Sequence, residues 1–391
     1  MYNMTQTMRW YGPQDIISLK ELKQAGVTGI VTALHHVPVG EVWQVKDIED
    51  RIKTIEDAGL EWKVIESLPV HEDIKRQTGN YKQLIENYKQ SIKNVAECGL
   101  KVITYNFMPI LDWLRTDHNF ENEDGSKVLR YHPAKFAFFD LFLLKRENAE
   151  KDYSEEEIEE ARKTGEKLSS EEKEILFSNV LLGLPGSSEN FTSEIIKEQL
   201  KAYDHIDDNK LRQNLVHFLS EVAPVAEAAG VKLAIHPDDP PFSVLGLPRV
   251  VSTQADIEHL LKEVDIKANG LCYCTGSLGG RQENDLVEIF EKSKDRIHFL
   301  HLRNVKHESN GIFRESDHLD GAVPMAEVVS RILSYMNEKK ISLPMRPDHG
   351  YLHSAEDHRN YYPGYSLIGR LKGLAELRGL EKGLEKSITS A

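Results

Sequence analysis

The sequence predicts an α/β protein: a closed (β/α)8 TIM barrel with a helical insertion after the fourth strand. Three observations predict it. Short β-rich runs alternate with amphipathic helical stretches along the 391 residues. Eight such runs occur. No glycine-rich dinucleotide fingerprint follows any of them, which argues against an open nucleotide-binding sheet. Strict alternation implies a parallel sheet with helices outside it, and eight units suit a closed barrel better than an open sheet.

The runs are MRWYG (8–12), VTGIVTAL (27–34), EWKVIES (61–67), KVITYNFMP (101–109), KLAIHP (232–237), GLCYC (270–274), RIHFLHL (296–302) and ISLPMRP (341–347). The stretches DIISLKELKQAG, VKDIEDRIKTIEDAG and YKQLIENYKQSIKNVAECG lie between the first four and read as helices. Each ends in a glycine where a left-handed C-terminal residue is expected, and a new strand begins within a few residues. Roughly 120 residues separate the fourth and fifth runs, where one helix would suffice. The single barrel domain (1–391) is therefore expected to carry a helical insertion or lid at 112–195. Because the excess starts at the C-terminal end of a strand, it is placed to cover the active face or to make an oligomer contact. A solvated helical appendage is the plainer alternative.

Composition narrows the function. A formal net charge of -14 disfavours a nucleic-acid partner, which needs a basic footprint. Three cysteines, Cys98, Cys272 and Cys274, give no disulfide framework and suit a reducing cytoplasm. The start lacks a signal-peptide pattern, and no apolar run reaches the roughly 20 residues needed to span a bilayer. A cytoplasmic enzyme without membrane contact is expected, and a homodimer is the expected assembly.

Four consecutive strand-like runs, the fifth to the eighth, end in a possible metal ligand: His236, Cys272 or Cys274, His301 and Asp348. A parallel barrel gathers the C-terminal ends of its strands on one rim. Side-chain alternation puts His236 on the face of Ala234, His301 on that of Phe299, and Asp348 on that of Arg346. Both sulfurs of Cys272-Tyr-Cys274 share one face, so spacing alone leaves that choice open. Imidazole, thiolate and carboxylate together suit a divalent transition metal. Each residue alone reads as a packed core group; the succession makes the case. His298 should face the helices, His307 and His318 fall in a polar loop, one of His35 and His36 is a further candidate for the site, and Cys98 reads as packing.

In RPDHG (346–350), Arg346 is expected to fork onto a carboxylate, and His349 to exchange protons. Tyr365, in a Pro-Gly-Tyr turn, is a candidate proton donor if its pKa is lowered, while Tyr361 and Tyr362 read as surface tyrosines. In CTGSLGGR, Arg281 and the small residues either cradle an oxyanion or form a plain turn.

At these residues the chain resembles the mannonate dehydratase family of hexuronate catabolism. MRWYGPQD (8–15), GIVTALHHVPVGEVW (29–43), IHPDDPP (235–241), CTGSLG (274–279), HFLHLRNV (298–305), RPDHG (346–350) and PGYSLIGRLKGLAELRGL (363–380) carry the resemblance over nearly the whole chain. It implies a xylose-isomerase-like barrel that converts D-mannonate to 2-keto-3-deoxy-D-gluconate and water with Mn2+ or Fe2+. It also implies His236, Cys274, His301 and Asp348 as ligands, and His349 and Tyr365 as acid and base with Arg346 beside them. A sugar isomerase or epimerase on the same barrel is the alternative; its sites usually draw more carboxylates.

Overall fold

The computed structural model describes residues 2–182 and 192–389. Its strands are β1 (Thr5–Arg9), β2 (Gly29–Thr32), β3 (Glu61–Glu66), β4 (Val102–Tyr105), β5 (Asp117–Glu121), β6 (Lys127–Tyr131), β7 (Lys232–Ile235), β8 (Asn269–Cys274), β9 (Ile297–His301), β10 (Asn304–His307), β11 (Phe313–Ser316) and β12 (Pro344–Arg346). Eight of them close a barrel in the order β1-β12-β9-β8-β7-β4-β3-β2, and every neighbouring pair is parallel. The first strand begins and ends earlier than the run at 8–12 suggests. Thr5 and Gln6 pair with Pro344 and Met345, so the strand starts there. Beyond Arg9 the chain turns away: Tyr11 donates its backbone N–H to Asp15, and Gly12 adopts φ +90°.

Helices cover the barrel, and their apolar stripes explain why they lie there. In Tyr81–Glu97, Leu84, Ile85, Tyr88, Ile92 and Val95 are buried at helical spacing. The glycines closing the first three predicted helices, Gly26, Gly59 and Gly99, take φ values of +77°, +72° and +83°, the left-handed geometry expected of them. Inside the barrel, Val31, Val64, Val102, Ala234, Cys272 and Phe299 pack as a separate apolar floor.

The long segment between β4 and β7 carries helices at Pro133–Phe138, Glu155–Glu166, Ser170–Val180 and Ser193–Lys201. Residues 183–191 of the span expected to be inserted lie outside the described residues. The segment also contributes β5 and β6, which join β10 and β11 in a four-stranded sheet of order β10-β11-β6-β5. That sheet has its own core, with Tyr131, Phe136, Phe139, Val305 and Phe313 among its members. Among the described residues, no helix is long and apolar enough to cross a membrane.

Candidate metal centre and acid–base pair

Alternation along the strands builds the site. Two residues beyond four of the six floor residues, on the same face, stand Glu66 over Val64, His236 over Ala234, Cys274 over Cys272 and His301 over Phe299. The register pairs Cys274 with His301, and His301 with Arg346. One ligand atom each of His236, Cys274 and His301 lies within 4.8 Å of the other two. Cys272 remains in the floor, where burial first and Glu66 second push its thiol well above the ordinary range. Height along β8 thus groups Cys274, and not Cys272, with the two histidines.

The donors have the right form for a cation. His236 Nδ1 lies 2.7 Å from the Pro237 carbonyl, which leaves Nε2 as the free donor. Burial holds the His236 imidazole below its usual pKa and therefore neutral. His301 is fully buried, and its Nδ1 has no hydrogen-bond partner. A buried unpaired ring nitrogen is costly unless something satisfies it, and a divalent ion shared with a thiolate and a second imidazole would do so. Its other nitrogen, Nε2, sits 3.1 Å from Arg346 Nε and 3.3 Å from Glu66 Oε2. Cys274 Sγ lies 3.1 Å from Ser277 Oγ and 3.4 Å from the Ser277 backbone N.

Asp348 stands at the edge of this cluster. Its Oδ2 is 3.6 Å from Cys274 Sγ, and its Oδ1 is 3.7 Å from His301 Nδ1. Arg303 Nε at 2.5 Å and Arg346 Nη1 at 2.7 Å grip the carboxylate. Burial alone would raise its pKa; Arg346, His349, His301 and Arg303 outweigh burial and hold it well below the carboxylate range. The residue takes φ +64°, an unfavourable backbone for a non-glycine and a common mark of a functional position. His318, expected in a polar loop, is buried instead, with Nε2 2.6 Å from the carbonyl of Pro347, directly before Asp348.

Arg346 does fork onto a carboxylate, that of Glu66, through Nε at 3.1 Å and Nη2 at 2.6 Å. Arg9 Nη1 adds a third contact at 2.7 Å. His349 Nε2 lies 3.3 Å from Tyr365 Oη, and its Nδ1 is 2.5 Å from Glu315 Oε1. The condition placed on Tyr365 is corrected: burial raises its pKa, and the nearby Arg346 does not reverse that. A phenol kept protonated at neutral pH still suits proton donation.

Several expectations at the margin also change. Tyr362 is not a surface residue: its hydroxyl is buried without a partner, and its ring stands 6.1 Å from that of Tyr365. Tyr361 is half-buried and donates its hydroxyl hydrogen to Glu356 at 2.8 Å. CTGSLGGR is neither a loose turn nor an open cradle, because Thr275–Gly279 is a short buried helix and Arg281 is turned to the Pro241 carbonyl, at 3.4 Å, and to Glu283, at 3.7 Å. His36 is exposed. His35 packs 5.8 Å from the Tyr11 ring, and burial and nearby arginines push its pKa down to about 3.

Sequence reading missed Glu66, Arg9, Asp239, Arg303, Glu315 and Trp113. The first two lie at barrel strand ends and obey the same alternation rule, so that signal was available. Asp239 is held by Arg115 at 2.6 Å and by Arg303, two contacts that cross the fold. A larger cavity of about 900 Å³ lies elsewhere, lined by Asp152, Glu156, Glu157, Glu160, Asp207 and Asp208; those carboxylates would repel an anion. The smaller cavity at the rim is lined by Arg9, Arg303 and Arg346 together with His236, Asp348, His349 and Tyr365.

A family model described as D-mannonate dehydratase (UxuA) matches residues 4–391. A protein named mannonate dehydratase from Marinomonas sp. (strain MWYL1) is 49% identical over 393 residues, covering 98% of this chain and 100% of the relative. The crystal structure of mannonate dehydratase from Streptococcus suis serotype 2 is 34% identical with a TM-score of 0.78, covering 100% of this chain and 95% of that one. A xylose isomerase-like TIM barrel protein from Mycobacterium smegmatis, in complex with magnesium, aligns with a TM-score of 0.52 over 99% of this chain and 98% of that one. At 13% identity it shares the fold alone.

Proposed function

The chain belongs to the D-mannonate dehydratase family, and from that membership we propose how its rim carries out the family's reaction. The enzyme is a hydro-lyase: D-mannonate loses water and becomes 2-keto-3-deoxy-D-gluconate. The reading of the site rests on one observation, the convergence of His236, Cys274 and His301 beside Asp348 and the His349–Tyr365 pair. His236, Cys274, His301 and Asp348 would hold Mn2+ or Fe2+; two imidazoles, a thiolate and a carboxylate suit either ion, and the thiolate leans toward iron. Such an ion supplies Lewis acidity toward the substrate's carboxylate and adjacent hydroxyl.

The hard step is loss of a proton from a carbon next to a carboxylate. His349 takes that proton from C2. Tyr365 gives its proton to the hydroxyl leaving C3, so a C–H and a C–O bond break, one water departs, and the resulting enol ketonises. Arg346, fixed by Glu66 and Asp348, offers preorganised positive charge to the developing enediolate. After the step, His349 is protonated and Tyr365 is not. They stand 3.3 Å apart, so one transfer between them resets both.

Asp112 and Trp113, at the start of the inserted segment, line the cavity, which supports a lid role for residues 112–195. The three free thiols suit a reducing cytoplasm. A homodimer acting on a small sugar acid is the proposed working state. The test pairs metal analysis with anaerobic assay on D-mannonate, with Mn2+ and Fe2+ supplied separately. Tyr365→Phe should keep its metal and lose about 10²- to 10⁴-fold in kcat. Wild-type turnover by that variant removes Tyr365 from the mechanism.

A further inference from the structure

Among the buried carboxylates at the site that belong neither to the metal cluster nor to the acid–base pair, Glu315 touches the proposed base itself. Glu315 is on β11, in the second sheet and not in the barrel, and only 6% of it is exposed. Register carries it there. β11 is paired on both sides: Val305 faces Glu315, and Phe313 faces Tyr131. Phe313 is two residues before Glu315 on the same face and is packed into the sheet's core. Arg314 and Ser316 take the opposite face and are half-buried. The second sheet therefore delivers to the barrel mouth a carboxylate that no barrel strand supplies.

A single oxygen, Oε1, meets two groups: Arg303 Nη1 donates to it at 2.8 Å, and His349 Nδ1 lies 2.5 Å away. A guanidinium has no acceptor, so Oε1 must remain an acceptor. A neutral imidazole has one N–H, and the nitrogen that faces a fixed acceptor has to carry it. The proton therefore sits on Nδ1, and the lone pair is left on Nε2, the nitrogen on the Tyr365 side. Glu315 is not needed simply to neutralise Arg303, because Asp239 and Asp348 already hold the other arms of that guanidinium.

We propose that Glu315 is a positioning residue, fixing the ring and the tautomer of His349 so that Nε2 presents its lone pair to the C2 proton of the substrate. This rests on His349 being the base, as above. Two consequences separate it from a structural role. Glutamine at 315 keeps the function, because Arg303 orients the amide oxygen toward the shared position and His349 Nδ1–H still finds an acceptor. Alanine does not. The effect also passes wholly through His349.

The experiment uses the metal-loaded enzyme on D-mannonate with Glu315→Ala, Glu315→Gln, His349→Ala and the Glu315→Ala/His349→Ala double variant. Metal content and thermal melts are measured on each. Glu315→Ala should lose about 10²-fold in kcat, with KM and metal content little changed. Glu315→Gln should stay within about tenfold of wild type. In the His349→Ala background, removing Glu315 should cost nothing more. Wild-type kcat in Glu315→Ala overturns the proposal, as does equal damage in the Gln and Ala variants, or a loss that persists in full without His349. His349→Ala at wild-type rate overturns the assignment of the base and this proposal with it. An inactive His349→Ala beside a fully active Glu315→Ala overturns only the role of Glu315.

Discussion

The floor of the barrel and its rim are built from the same strands, on the same face, two residues apart, yet their chemistry is opposite. Val64, Ala234, Cys272 and Phe299 form a buried apolar layer. Roughly 7 Å further along those strands stand Glu66, His236, Cys274 and His301, every one engaged with a polar or charged neighbour. Backbone geometry does not distinguish the two layers, since both are buried and both belong to one closed ladder of hydrogen bonds. Height does. At the floor the side chains pack against their apolar counterparts from other strands and make no hydrogen bonds of their own, so a hydroxyl placed there would be short of partners. At the rim, loops bring Arg303, Asp239 and Asp348 within reach. The same residue type can therefore serve as packing at one level and as chemistry at the next, and β8 places a cysteine at each.

The largest effect expected is at the upper cysteine. Cys274→Ala removes the soft donor from the cluster and leaves two imidazoles facing an incomplete site. Metal content measured on the purified variant should fall well below one per chain, and turnover of D-mannonate by about 10³-fold or more. A variant that kept both metal and rate would erase the distinction between the layers.

A smaller, pH-dependent effect separates them by stability. Glu66 is buried, which alone would raise its pKa, but Arg346, Arg9 and His301 hold it well below its usual 4.5. Its unfolded form titrates normally, so the native state binds fewer protons around and below that pH. The stability Glu66 supplies is thus complete above about pH 4.5 and drains away as pH falls beneath it. Glu66→Gln leaves two buried guanidiniums short of a countercharge and should cost about 3–5 kcal/mol at pH 7. Melting curves of wild type and variant should be far apart at pH 7 and converge in acid. Parallel curves at every pH would mean that Glu66 acts through packing, as the floor does.

How much of this the sequence displayed depends on where each residue sits. The barrel was legible because its strands are apolar runs and its helices carry regular stripes, both of which are local patterns. His236, His301 and Arg346 were legible because each ends or closely follows such a run, whereas the run at 270–274 offered Cys272 and Cys274 alike. Glu66 and Arg9 obeyed the same rule, but an acid or arginine ending a strand does not stand out from ordinary surface charge. The strands of the second sheet, DHNFE, KVLRY, NVKH and FRES, are short and mixed, so the first two read as part of a helical insertion and the last two as polar loop. β5 pairs locally with β6, and β10 with β11, but the sheet is completed by pairing across nearly two hundred positions, between Phe313 and Tyr131. Glu315 depends on that pairing, and no window of sequence around it reveals that it faces His349.

The lower cysteine gives the finest discrimination and the smallest expected change. Cys272 is fully buried among aliphatic groups and Phe299, with its thiol held protonated by burial. It contributes volume and little else. Cys272→Ala should open a cavity of about one sulfur atom and cost about 1–2 kcal/mol, read as a modest drop in melting temperature, with metal content and kcat near wild type. Cys272→Ser should cost more than alanine despite its closer size, because a hydroxyl there would have no partner. If the serine variant were instead as stable as wild type, a polar atom would be tolerated in the floor. The sharp change in chemistry between the two layers would then lie elsewhere than in the reach of the loops.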